Sequence, residues 1–143
     1  MRRLLLLVGS LSLLGVSCVR QPSPTQPPPP GGIYRSDDHG VSFVQKVALT
    51  TGGNLARVTV REVVSVPQEP GTLYLLAAEG VFRTTTAGDL WIRVSIPARQ
   101  VVSLAIHPVN PRVLLAAVIS SGANGRGQIL KSLTGGDTWS EIF

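Results

Sequence analysis

Ser132 to Trp139 reads SLTGGDTW, a polar turn running into a tryptophan, and it has two echoes earlier in the chain. Ser36 to Phe43 reads SDDHGVSF, and Thr84 to Trp91 reads TTTAGDLW. In each, a hydroxyl residue stands four places before a glycine and an aromatic residue three places after it. The glycines are Gly40, Gly88 and Gly136, at a constant spacing of 48 residues. A turn that recurs at such a period marks a repeat architecture with one supersecondary unit per period.

Working outward from the turns, the repeat widens. IYRS (Ile33–Ser36), VFRT (Val81–Thr84) and ILKS (Ile129–Ser132) align column by column: β-branched, large apolar, basic, hydroxyl. Pro67 and Pro70 match Pro108 and Pro111 at an offset of 41, and a seven-residue insertion around SSGANGR restores the offset to 48. Short runs of Val, Ile, Leu and Thr alternate with Gly, Pro and Asn punctuation, which is a strand pattern. It predicts strands at 33–36, 42–47, 58–66, 73–77, 81–84, 91–96, 101–106, 113–118, 129–132 and 138–142. Asn124-Gly125 predicts a hairpin turn, since type I′ turns need positive φ at both central residues. Four short strands per period of about 40–50 residues is the signature of a propeller blade.

The three turns resemble the Asp-box, or BNR repeat, S/T-x-D-x-G-x-T/S-W/F. That repeat is found in sialidases, sortilin-type ectodomains and photosystem II stability/assembly factor-like proteins. HPVNPRVLLAAV, from His107, with the last turn is most similar to the latter two groups. The resemblance implies an all-β fold, a partial β-propeller of about two and a half four-stranded blades. It assigns the box residues a structural role: Ser36, Asp38, Gly40 and Phe43; Thr84, Thr86, Gly88 and Trp91; Ser132, Thr134, Gly136 and Trp139. The glycine would admit a backbone conformation closed to residues with Cβ, and the hydroxyl and acid would accept from turn N–H groups. Only Asp38 keeps the acid; Thr86 and Thr134 replace it with a hydroxyl, and Leu90 replaces the second hydroxyl of the middle copy.

Chemistry is thinly signalled. The sialidase resemblance would require three clustered arginines, a tyrosine–glutamate pair and an acidic loop, and RVSIP (Arg93–Pro97) does not match the signature that accompanies them. Asp37, Asp38, Asp89 and Asp137 all fall inside the turns, and Glu62, Glu69, Glu79 and Glu141 show no recognisable paired spacing of the kind glycoside hydrolysis uses. No catalytic residue is assigned. His39 and His107 lie in different repeats without ligand spacing, so no metal site is read, and no cofactor motif occurs. The basic column Arg35, Arg83 and Lys131 recurs in the third strand of each unit; it either binds an acidic partner or covers strand edges with its stems.

The N-terminus reads as a targeting signal at residues 1–17: Arg2 and Arg3, then an apolar run from Leu4 to Ser17 too short for a comfortable span. LLGVSC resembles a bacterial lipoprotein lipobox, which implies acylation of Cys18, the chain's one cysteine; an ordinary signal peptide with an incidental thiol is the other reading. Residues 18–32 read as a lipidated, Pro-rich tether: six of the ten residues from Gln21 to Pro30 are proline, favouring extended polyproline II. The protein is thus expected to be exported and membrane-anchored through lipid. Formal net charge is +5, or +3 without the signal, and scattered, so nucleic acid is not an expected partner.

The folded part, residues 33–143, is short of the roughly 190 residues that four blades of this period require. Three readings stay open: a fragment or decayed gene product, copies closing a ring together, or an open partial propeller supported by a partner. Val58, Val60 and Val64 on one side, and Trp139 and Ile142 on the other, are expected near the open faces. The functional expectation is a non-catalytic, surface-tethered propeller that binds an unknown protein or glycan. The alternatives are a remnant or fragment of a sialidase-like exo-glycosidase propeller, and a truncated product without function.

Overall fold

The computed structural model describes residues 31–122 and 125–143. The expected signal, Cys18 and most of the tether lie outside the described residues, as does Asn124 of the expected hairpin turn. The described strands are β1 (Tyr34–Arg35), β2 (Val44–Gln45), β3 (Val60–Ser65), β4 (Leu73–Ala77), β5 (Gly80–Thr84), β6 (Ile92–Val94), β7 (Gln100–Ile106), β8 (Leu114–Ile119), β9 (Gly127–Ser132) and β10 (Ser140–Glu141). Each falls within or against a strand read from the sequence. They form a two-stranded sheet β1-β2 and two four-stranded antiparallel meanders, β3-β4-β5-β6 and β7-β8-β9-β10. This is the all-β, two-and-a-half-blade partial propeller expected.

The two full blades share one register. Leu73 of β4 faces Ser65 and Thr84, and Leu114 of β8 faces Ile106 and Ser132. Each first strand carries a bulge at the same place, at Arg61 between Val60 and Glu62 and at Val102 between Val101 and Ser103. A bulge leaves one residue unpaired and increases local twist. The sequence pattern gave no sign of it.

Alternation within the strands builds two apolar layers. Leu75, Ala77 and Phe82 of the middle blade join Leu55 and Trp91 against the leading half-blade. Tyr74, Leu76 and Val81, on the opposite face, join Leu104, Leu114, Ala116, Val118 and Leu130 of the third blade. The middle blade is therefore buried on both faces, which explains the near-continuous apolar run at 73–77.

Two expectations are corrected here. Val58 and Val60 pack into the first layer and Val64 into the second, because residues 31–58 fold back over the middle blade and supply Leu55, Val47 and Leu49 to cover it. Trp139 lies against the second layer rather than on an open face, whereas Ile142 is exposed. Gly31 and Gly32, assigned to the tether, touch the folded part: the Gln45 amide donates to the Gly31 carbonyl at 3.0 Å, and Gly32, at φ +107°, lies against Val47 and Leu55.

Candidate functional site

The three repeated turns share one hydrogen-bond scheme. The leading hydroxyl accepts from the glycine N–H four residues on: Ser36 from Gly40 at 2.7 Å, Thr84 from Gly88 at 3.1 Å, Ser132 from Gly136 at 2.9 Å. The third residue then accepts from the seventh N–H: Asp38 from Ser42 at 2.8 Å, Thr86 from Leu90 at 3.1 Å, Thr134 from Thr138 at 2.9 Å. Threonine thus makes the same backbone contact as aspartate, with one oxygen instead of two. The second carboxylate oxygen of Asp38 accepts from the Ser42 hydroxyl at 2.6 Å. Those Ser42 bonds, with one from Ser36, hold the Asp38 carboxyl down at about 2. The fourth and fifth residues of each turn take positive φ, at 59° and 90°, 53° and 92°, and 73° and 96°. Glycine is free to do so at the fifth place; His39 and Ala87 at the fourth accept strain.

The basic column links one turn to the next. Arg35 Nη1 donates to the Ala87 carbonyl at 2.8 Å and lies 3.2 Å from the Asp89 carboxylate. Forty-eight residues later, Arg83 Nη1 donates to the Gly135 carbonyl at 2.6 Å, and Arg83 Nη2 lies 3.4 Å from Asp137. Each arginine therefore reaches the fourth carbonyl and the sixth carboxylate of the following turn. Tyr74 adds a buried bond to Gly135 O at 2.9 Å, and Lys46 adds an ion pair to Asp89 at 2.5 Å. The ion pairs are partly exposed and screened by solvent, so each contributes little; the guanidinium-to-carbonyl bonds, which fix the register between blades, contribute more. Arg35 and Arg83 are occupied inside the protein. Lys131, the third member, has no following turn among the described residues.

The turns occupy one end of the blades; the β4–β5 turn and the β6–β7 connection occupy the other. At that second end a cleft of about 290 Å³ opens between the middle and third blades. Arg61, Arg93, Arg99, Gln100 and Ser95 line it, with Glu79 as its one carboxylate among the described residues. Arg93 is steered by a 2.7 Å bond to the Glu79 carbonyl and Arg61 by one of 3.2 Å to Ala77 O. Sequence reasoning missed this cleft because its residues come from a bulge, a tight turn and an inter-blade link; the one signal was the arginine at three unrelated positions. The four turn aspartates lie at the opposite end, Asp37 bound to Arg35, Asp38 to Ser42, Asp89 to Lys46 and Asp137 to Arg83. His107 is a loop brace, its Nδ1 accepting from Val109 and Asn110 N–H at 3.2 and 3.1 Å.

No family model matches the chain. It is 26% identical over 110 residues to a xyloglucanase of Hypocrea jecorina (strain QM6a), a match covering 77% of this chain and 12% of that protein. Among solved structures it is similar to an ancestral GH74 enzyme, with a TM-score of 0.58 and 22% identity over 80% of this chain and 15% of that one. The structural likeness supports the propeller fold. The chain spans about an eighth of the length of the curated relative it matches. The likeness to a xyloglucanase corrects the expected function: it does not support a non-catalytic scaffold, and it agrees better with the alternative of a glycosidase-propeller fragment, although the relative is a xyloglucanase and not a sialidase.

Proposed function

We propose that the chain is one sector of a larger glycan-hydrolysing propeller whose substrate is a polysaccharide of the xyloglucan class. The observation that carries this reading is the match to the xyloglucanase, which extends over 110 residues, far more than the repeated turns alone. The turns, read as degenerate Asp-boxes, hold the blades. The opposite, polar end is the surface offered to sugar hydroxyls, through Arg61, Arg93, Arg99 and Gln100. Glycoside hydrolysis by the usual route takes two carboxylates flanking the scissile bond. Glu79 is the one carboxylate lining the cleft among the described residues, so the pair is completed by a carboxylate from elsewhere in the larger protein. The apolar N-terminal segment agrees with export toward such a polymer, and acylation of Cys18 would keep the protein at the membrane surface.

The test is to tag the chain in its own cells, separate extracts by size, and assay release of reducing ends from xyloglucan and from an unbranched β-glucan. Hydrolysis of xyloglucan should travel with the tagged chain in a species larger than the monomer. Hydrolysis that never coincides with the chain, or full activity in the isolated 143-residue chain, overturns the reading.

A further inference from the structure

In the middle blade, the face toward the next blade is built by Val64, Tyr74, Leu76, Val81 and Arg83, and the third blade covers it. Register transfers these positions to Ala105, Leu115, Ala117, Ile129 and Lys131 of the third blade. Alternation fixes their direction: Leu114, Ala116, Val118 and Leu130 point into the layer shared with the middle blade, so their neighbours point away from it. Nothing among the described residues covers that outward face. Leu115 is 40% exposed, and apolar grooves of about 220 and 330 Å³ run along Ala105 and Leu115 and along Ala117 and Ile129. Lys131 makes no side-chain hydrogen bond or ion pair there, although Arg35 and Arg83 at the same place each clasp a following turn.

We infer that this outward face docks a further blade of the same repeat, whose turn carries an acidic residue at its sixth position for Lys131 to engage. The inference rests on the reading of the chain as one sector of a larger propeller. Charge complementarity selects the occupant. Asp89 and Asp137 stand sixth in the turns that receive Arg35 and Arg83. The leading turn has Val41 there, 86% exposed. A second copy presenting its leading half-blade would set Val41 against the ammonium and bring two strands instead of four. Such a copy satisfies neither the charge nor the area, whereas a four-stranded blade with an acidic turn satisfies both.

The experiment extends the full chain after Phe143 by a duplicate of residues 96–143, one period of 48 residues that carries an acid sixth in its turn. Leu115→Cys, in a Cys18→Ser background, reports cover of the face through its rate of thiol labelling. Fluorescence of the buried Trp91 reports that the original blades are intact in every variant. The added blade should slow labelling about tenfold. Lys131→Glu in the extended chain should restore the fast rate, and changing the acid of the added turn to lysine should slow it again. Equal labelling with and without the added blade, folded or not, overturns the inference. Concentration-dependent protection in the unextended chain also overturns it, by giving the face to a second copy. None of these readouts involves polysaccharide, so failure here is distinguishable from failure of the xyloglucan assay.

Discussion

The first turn and the two later ones have the same backbone and different surroundings. Residues 36–43 keep the acid and both hydroxyls, yet Phe43 at the eighth place is 63% exposed. The later turns have traded the acid for threonine, yet Trp91 is fully buried and Trp139 lies against a core layer. Hydrogen bonding inside the turn is a local property, complete in all three copies. What the aromatic contributes is set by the sheet on the preceding side, which Trp91 and Trp139 have among the described residues and Phe43 lacks. A repeated motif thus holds two separable devices: a turn that closes on itself and an anchor that needs a neighbour.

The sharpest way to break this comparison is to remove the anchors. Trp91→Ala deletes a side chain with no solvent exposure and orphans the Lys46 carbonyl it bonds at 2.9 Å. The expected loss is about 3–5 kcal/mol. Phe43→Ala should change stability by less than about 0.5 kcal/mol. Urea unfolding midpoints of the two variants measure both. Equal losses would mean that Phe43 is covered in solution, and that the exposed half of the comparison is wrong.

Next in size are the glycines. Gly136 has φ +96°, and a Cβ there would stand 3.1 Å from Val94 and 3.5 Å from Leu114. Gly40 has φ +90° with no heavy atom within 4 Å of such a Cβ. Gly136→Val therefore adds collision to strain, for about 3 kcal/mol or more, while Gly40→Val carries strain alone, about 1–2 kcal/mol. Thermal unfolding should rank them in that order. The reverse rank would locate the cost in the turn's own backbone and not in its seat between blades.

A smaller difference is in acid sensitivity. The folded Asp38 carboxyl titrates at about 2, below its ordinary 3.8, because Ser42 donates to its charged form. A depressed folded value gives stability that is present above the unfolded value and lost as pH falls through the folded one. The first turn should therefore loosen between about pH 4 and pH 2, with no counterpart at Thr86 or Thr134, which do not titrate. Carboxyl NMR should place the Asp38 midpoint near 2, and Asp38→Thr should remove the acid-dependent change at Gly40 and Ser42. A midpoint near the ordinary value would show that the Ser42 bonds do not persist.

The ten strands were legible because each depends on a pattern confined to a few residues: alternation at 101–106, or an apolar run bounded by Gly71 and Gly80. The turns were legible because their bonds span four residues. What was not legible depends on neighbours far along the chain. Arg35 and Arg83 looked like a surface column, and the contact that defines them lies 52 residues on. Val58 and Val60 looked like an open face because the covering residues, Leu55 and Leu49, belong to a segment with no strong period. The cleft joins a bulge, a tight turn and a link, three places where strand periodicity carries no information.

The smallest expected effect sharpens the comparison most directly, by moving the first turn's chemistry into the last. Thr134 Oγ1 already accepts from Thr138 N–H at 2.9 Å and lies 3.0 Å from the Thr138 hydroxyl. Thr134→Asp would offer one oxygen to each, as Asp38 does to Ser42. Against this, the new charge enters a turn that already holds Asp137, whose own charge is partly met by Arg83 at 3.4 Å. A charge-assisted bond is the stronger kind, but this one is exposed, and exposed pairings change stability little. The expected outcome is a gain of less than about 0.5 kcal/mol near neutral pH, together with a newly acquired loosening of the last turn below about pH 4. A loss of more than about 1 kcal/mol would show that threonine in the later turns is a requirement of their packed seat between blades, and that the turn and its surroundings are not separable after all.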